Sequence, residues 1–352
     1  MQNNEGIRPV IELRDIDMTF AGSRGLFRPH AQIQALTKVS LSIYPGEVVA
    51  LVGESGGGKT TVGNIISGIL KPTGGQMLFD GVDIAKMNQK QFAEYRRQVQ
   101  IVQQDAYAAL NPAHTVYHAL SAPLLRRKIV RGQRAARAMV KELLETVELR
   151  PIEQFINKYP HQLSGGQRQR ILLARAISLK PKLIIADEPV SMIDVSLRVS
   201  ALNLMSRLNR ETGISFLYIT HDLATARYIG RTGRIAIMYL GQIIEQGPAV
   251  RVIARPMHPY LRTLISVVPI PDPWIARNRD KIVLKDVDVP TAANPPSGCR
   301  FHTRCPYAED LCAIREPEMR TYEGRTVKCH MLEKLPPWSL EGKDGSLPEG
   351  DG

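Results

Sequence analysis

The apolar run Val48–Val52 is followed directly by Gly53-Glu54-Ser55-Gly56-Gly57-Gly58-Lys59-Thr60, spaced as G-x-x-x-x-G-K-[ST], and then by a segment from Thr60 to Leu70 with apolar residues on one helical face. The run begins after a Pro45-Gly46 turn and reads as a strand buried on both faces. The glycines let successive backbone N–H groups curl around phosphate oxygens at the positive end of the helix. Lys59 is then the cation that reaches the terminal phosphates, and the Thr60 hydroxyl is a ligand for Mg²⁺. A strand, loop and helix in this order commit the chain to an α/β architecture.

Other segments agree with that architecture. Leu183–Ala186 and Phe216–Ile219 repeat the buried-strand pattern, and the helical stretch Ser196–Arg210 between them is the crossover that a parallel sheet requires. Ile11–Phe20 alternates apolar and polar residues, and Leu36–Ile43 reads as a second N-terminal strand after a Gly/Arg-rich loop. Ile235–Met238 and Gln242–Gln246 flank Gly241 as a hairpin. Strand signals thin out between about residues 90 and 180, where Arg134–Val147 places Met139, Val140, Leu143, Leu144 and Val147 on one face, so a helical subdomain is expected there.

Two further elements carry chemistry. Leu183-Ile184-Ile185-Ala186-Asp187-Glu188 delivers adjacent carboxylates to the end of a buried strand: Asp187 to hold Mg²⁺, Glu188 to polarise an attacking water as general base. Leu163-Ser164-Gly165-Gly166-Gln167 precedes the helical segment Arg168–Ile177, so Ser164 can cap it and the glycines expose N–H donors at a second helix N-terminus.

The ordered set of the phosphate loop, Leu163–Gln167, Asp187-Glu188, Ser191-Met192-Ile193-Asp194 and His221 resembles the nucleotide-binding subunits of ABC transporters over about residues 10–250. The resemblance implies a P-loop ABC ATPase core, with a parallel sheet plus N-terminal antiparallel strands. It assigns ATP binding to Phe20, stacked on adenine, and to Gly53, Glu54, Ser55, Gly56, Gly57, Gly58, Lys59, Thr60 and Thr61. Hydrolysis falls to Glu188, His221, Gln104 and Lys59, with Mg²⁺ held by Thr60, Gln104 and Asp187. It further implies a second ABC ATPase subunit, identical or paralogous, with Leu163, Ser164, Gly165, Gly166, Gln167 and Asp194 contributing to the partner's site. Phe20 departs from the usual Tyr, and Met192-Ile193 from the usual Ala-Leu; both exchanges are apolar and predict modest consequences.

Past Gly247-Pro248 prolines accumulate, so a boundary is expected near residue 250, with a Pro-rich connecting extension over 251–298. All four cysteines follow, Cys299, Cys305, Cys312 and Cys329, in a segment spanning 299–335 and spaced C-x5-C-x6-C-x16-C without the C-x2-C knuckles of structural zinc. Four soft ligands suit a [4Fe-4S] cluster, while zinc, reduced structural cysteines and disulfides stay open, and His302 and His330 read as surface residues or substitute ligands. Met257-His258-Pro259-Tyr260-Leu261, Gly298–Pro306 and Val327–His330 resemble the C-terminal extension of oligopeptide, dipeptide and nickel importer ATPases, and that resemblance implies the same cluster. Residues 336–352 carry four acidic residues against one Lys and read as a mobile tail.

Composition bounds the function. At 43% hydrophobic and 23% charged the chain is neither disordered nor fibrous. Its net charge of +12 is dispersed, which predicts a solvated basic surface and no nucleic-acid partner. The first nine residues lack the apolar core of a secretory leader, which predicts the cytoplasm. The charge-free stretch Ala106–Leu125 is broken by Asn, His and Pro and is no membrane span; in the family resembled, this region faces the membrane subunits. The expectation is therefore an ATPase on the cytoplasmic face of the membrane, serving two permeases and an extracytoplasmic peptide-binding protein, with di- or oligopeptides as cargo. Nickel or another solute is the alternative cargo. A soluble ABC ATPase acting on nucleic acid and an iron–sulfur redox sensor are the alternatives of other classes.

Overall fold

The computed structural model describes residues 6–21, 32–268 and 282–338. The chain divides into two compact units: Met1–Arg14, Ser40–Val49 and Thr60–Thr220 form the first, and Asp15–Val39, Ala50–Lys59 and His221–Gly352 the second.

In the first unit, strands Val99–Val102, Leu183–Asp187 and Ser215–Thr220 pair in parallel, with Val99 opposite Leu183 and Leu183 opposite Ser215. Every residue of the last two strands is buried, the signature of a sheet covered on both faces. The crossover between them is the helix Val195–Thr212, ended by Gly213 at φ +70°, whose N–H returns to the Asn209 carbonyl at 2.9 Å. The expected helical subdomain is present. Thr115 caps Val116–Arg126, Ser164 and Gln167 form a capping box on Gly165–Ile177, and Gln133–Thr146 buries Ala136, Val140, Leu143 and Leu144 as one stripe. Sequence reading placed no strand at Val99–Val102 or at Gly74–Phe79; both are strands.

In the second unit the hairpin expected about Gly241 forms between Arg234–Tyr239 and Gln242–Pro248, turning through Leu240 and Gly241, both at positive φ. Strand Arg325–Val327 joins it, with Glu245 opposite Val327, and Arg320–Tyr322 folds back through Glu323-Gly324. Tyr239, Tyr260, Phe301 and Cys305 pack with Val52, Ile235 and Ile237 into one apolar cluster, and Cys312, Val327, Cys329 and Met331 into another. The expected acidic tail lies outside the described residues from position 339 onward, as do 22–31 of the N-terminal loop and 269–281 of the extension.

Candidate functional site

The phosphate loop belongs to the second unit up to Lys59. Gly53 and Gly58 are imposed by close packing: a Cβ on Gly53 would stand 2.1 Å from the Met238 carbonyl oxygen, and one on Gly58, at φ +96°, 2.7 Å from that of Ala35. The Gly57 carbonyl accepts the N–H of Gly241 at 2.9 Å, so the hairpin turn braces the loop. Lys59 is buried, and its ammonium donates to the carbonyls of Gly53 and Glu54, both at 2.9 Å. Phe20 is exposed on its strand. His221 is exposed just before Asp222, which caps the helix Leu223–Ile229.

Glu54 has more partners than the sequence announced. Its N–H donates to the Tyr260 hydroxyl at 2.9 Å, and its carboxylate pairs with the Arg304 guanidinium at 3.1 and 3.2 Å. Sequence reasoning missed both partners, which lie 206 and 250 residues away. The only available signal was that Tyr260 and Arg304 fall inside two of the three C-terminal stretches singled out by their resemblance to importer ATPases.

The first unit presents the remaining groups. Thr60 and Thr61 open the helix Lys59–Ile66. Asp187 is buried at the end of its strand. Glu188, at φ +44°, is held by its N–H on the Ile219 carbonyl at 2.9 Å, and its carboxylate accepts the side-chain amide of Gln104 at 3.0 Å. Two of the expected hydrolytic residues thus meet across 84 positions of sequence. The positions expected to hold Mg²⁺, Thr60, Gln104 and Asp187, supply hydroxyl, amide and carboxylate oxygens, a donor set that suits this hard cation.

Ser164 caps its helix through the Gln167 N–H, and the Gln167 amide oxygen accepts the Ser164 N–H in return, while Leu163 is buried. Gly165 is packed so tightly that a Cβ would lie 2.7 Å from the Met192 carbonyl oxygen. Asp194 starts the helix Val195–Thr212, and around it Met192, Val195, Leu197 and Val199 are exposed, an apolar strip next to the Ser164–Gln167 turn. In the charge-free stretch Ala106, Leu110, Val116, Leu120 and Leu124 are buried, whereas Tyr107, Ala108, Pro112 and Ala113 are exposed.

All four cysteines are free thiols. Burial pushes Cys299 and Cys305 up to about 11 and Cys329 up to about 12, each further raised by neighbouring cysteines. The Cys299 N–H donates to the Cys312 carbonyl at 2.8 Å, so the segment folds its cysteines towards one another. Among the described residues no group of three or more His, Cys, Asp or Glu is arranged to hold a metal ion. His302 and His330 are tied by ring nitrogens to the carbonyls of Cys299 and Arg315, both at 2.8 Å. The four thiols are soft donors, chemically suited to iron–sulfur binding, which takes them as thiolates.

Comparison with known proteins matches the family described as ABC transporter over residues 36–191, and the oligopeptide/dipeptide transporter C-terminal region over 244–312. A putative oligopeptide transport ATP-binding protein of Bacillus subtilis is 40% identical over 92% of this chain and 95% of its own length. A di/tripeptide transport ATP-binding protein of Pseudomonas aeruginosa is 40% identical over 93% and 98%. Among solved structures, a dimeric ATP-binding cassette in a post-hydrolysis state with ADP and Pi is 31% identical, with a TM-score of 0.59, covering 68% of this chain and 98% of that one. Among the described residues, no helix is long and apolar enough to cross a membrane.

Proposed function

The chain belongs to the ATP-binding proteins of ABC-type peptide importers, and from that premise we propose that it hydrolyses ATP to drive uptake of di- or oligopeptides through two permease partners. The observation that carries the proposal is the Gln104–Glu188 hydrogen bond at 3.0 Å, which supplies an oriented carboxylate base at the end of a buried strand.

Lys59 and the N–H groups of Gly56–Thr60 take the phosphates, Phe20 receives the adenine, and His221 contacts the terminal phosphate. Lys59 must exchange its present carbonyl partners for phosphate oxygens, a change that costs little because both sets are hydrogen-bond acceptors. Glu188 takes a proton from the attacking water while Gln104 fixes the carboxylate's rotamer. Thr60, Gln104 and Asp187 would hold Mg²⁺, which would supply charge neutralisation on the phosphates.

The exposed strip Met192, Val195, Leu197 and Val199 beside Ser164 supports pairing with a second ATPase subunit, identical or paralogous, because a patch of this kind is costly to leave in water. The dimeric neighbour is consistent with that pairing. The exposed, uncharged residues Tyr107, Ala108, Pro112 and Ala113 suit a permease helix, which would place the protein on the cytoplasmic face of the membrane and link it to an extracytoplasmic peptide-binding protein. A domain boundary near residue 250 is part of the same proposal. For the cysteines, a [4Fe-4S] cluster remains the finer reading; Cys299, Cys305, Cys312 and Cys329 would hold it as thiolates, bracing a segment with a small core.

The deciding experiment is ATP hydrolysis by the chain assembled with its permeases in lipid, with and without peptide-loaded binding protein, with Glu188→Gln as the blank. Stimulation by peptide establishes the cargo; stimulation by nickel-loaded or another binding protein instead keeps the ATPase and replaces the cargo.

A further inference from the structure

We propose that Arg304 and Tyr260 are positioning residues for the phosphate loop, and that through Glu54 they set the affinity for ATP; the inference rests on the ATPase reading above. Glu54 is gripped at three points: its N–H by the Tyr260 hydroxyl, its carbonyl by the Lys59 ammonium, and its carboxylate by Arg304. The Lys59 contact has to be given up when a phosphate arrives. The other two can stay, and both come from the C-terminal quarter.

These two side chains are built into the core. Tyr260 is 1% exposed, with its ring centroid 4.6 Å from Tyr239 and 5.5 Å from Phe301. Arg304 is 6% exposed, and its guanidinium carbon lies 5.8 Å from the Phe301 ring centroid and 6.0 Å from that of Tyr239. A buried arginine held over two aromatic rings loses little entropy on binding a carboxylate. It also cancels a negative charge carried by the loop that must attract a polyanion. Without Arg304 the Glu54 carboxylate would repel the incoming triphosphate and swing freely. Arg304 directly precedes Cys305, so this contact reaches the nucleotide loop from within the cysteine segment.

The test uses the full chain assembled with its permeases, reading KM for ATP, kcat and thermal midpoint. Arg304→Met is expected to raise KM roughly tenfold with kcat within about twofold, and Tyr260→Phe to raise it roughly threefold. Arg304→Lys is expected to recover part of the loss. The decisive variant is Glu54→Gln in the Arg304→Met background: removing the unpaired charge is expected to bring KM back towards the parental value. Unchanged KM in both single variants overturns the proposal, and so does a double variant no better than Arg304→Met. Should Arg304→Met not fold, Arg304→Lys and Tyr260→Phe decide alone. A parental complex that hydrolyses no ATP instead overturns the functional reading, so the two failures are distinguishable.

Discussion

The Gln104 side-chain amide donates to the Glu188 carboxylate at 3.0 Å, so the group expected to take a proton from water is held in one orientation. The bond also turns the Gln104 carbonyl oxygen away from Glu188, where it can serve as a metal ligand. Glu188→Gln keeps a hydrogen-bonding side chain of the same shape but removes the base, and is expected to lower kcat by about 100-fold or more while ATP still binds. Gln104→Ala leaves the base in place without its tether and is expected to lower kcat by roughly tenfold. Steady-state hydrolysis beside equilibrium binding of labelled ATP separates the two effects; equal losses in binding and turnover would remove Glu188 from the chemistry.

Two glycines in the phosphate loop have positive φ but different surroundings. A Cβ on Gly58 would lie 2.7 Å from the Ala35 carbonyl oxygen and 2.8 Å from the Leu36 side chain, whereas one on Gly56 meets nothing within 4 Å. Gly56→Ala is therefore expected to cost only backbone strain, about 1–2 kcal/mol. Gly58→Ala adds an overpacking term of about 1–3 kcal/mol to the same strain. Urea midpoints should rank the parent above Gly56→Ala and Gly56→Ala above Gly58→Ala.

What could be read ahead of the structure was what short segments encode. Leu183–Asp187 is apolar until its last residue and Ser164 stands one residue before its helix, so strand, cap and the adjacent carboxylates Asp187 and Glu188 were all local signals. Val99–Val102 escaped because it is only four residues long, Gln100 interrupts its apolar run and the helix Gln89–Gln98 runs directly into it. The clasp on Glu54 escaped for a different reason. Nothing in the sequence around Glu54 announces an arginine 250 residues later, and contacts at such separation are decided by packing of the whole second unit.

Deep in that unit, Arg325 pairs with Glu245 at 3.4 Å, with the two side chains 3% and 0% exposed, and donates to the carbonyls of Arg251 and Arg255 at 3.2 and 2.5 Å. Glu245 also accepts the N–H groups of Met257 and His258. Arg325→Met would strand a buried carboxylate and is expected to cost about 3–5 kcal/mol, part of it recovered when Glu245→Gln is added. A urea denaturation cycle over the four proteins measures the coupling; strictly additive losses would mean the pair contributes nothing as a pair.

His258 supplies a pH dependence with a definite sign. It is buried, its Nδ1 accepts the Tyr260 N–H at 3.1 Å, and burial, helped by the nearby Arg262 charge, pushes its pKa down to about 3. In the unfolded chain its pKa returns to about 6.5, so between these values the unfolded state binds the extra proton. Its contribution is complete above pH 6.5 and is lost as pH falls, by up to about 1.4 kcal/mol per pH unit. Glu245 runs the other way. Its pKa is pushed up to about 7 by burial, so the folded state binds the extra proton and stability declines as pH rises from about 4.5 to 7. The two slopes oppose each other over much of that range, and the parent alone would show a muted profile. His258→Asn keeps a capping oxygen for Tyr260 but cannot titrate, so subtracting its profile from the parent's isolates the histidine. Urea midpoints at pH 7.5, 6.0 and 5.0 should bring the two proteins closer together as pH falls. Parallel profiles would show that His258 keeps an ordinary affinity for protons in the folded chain.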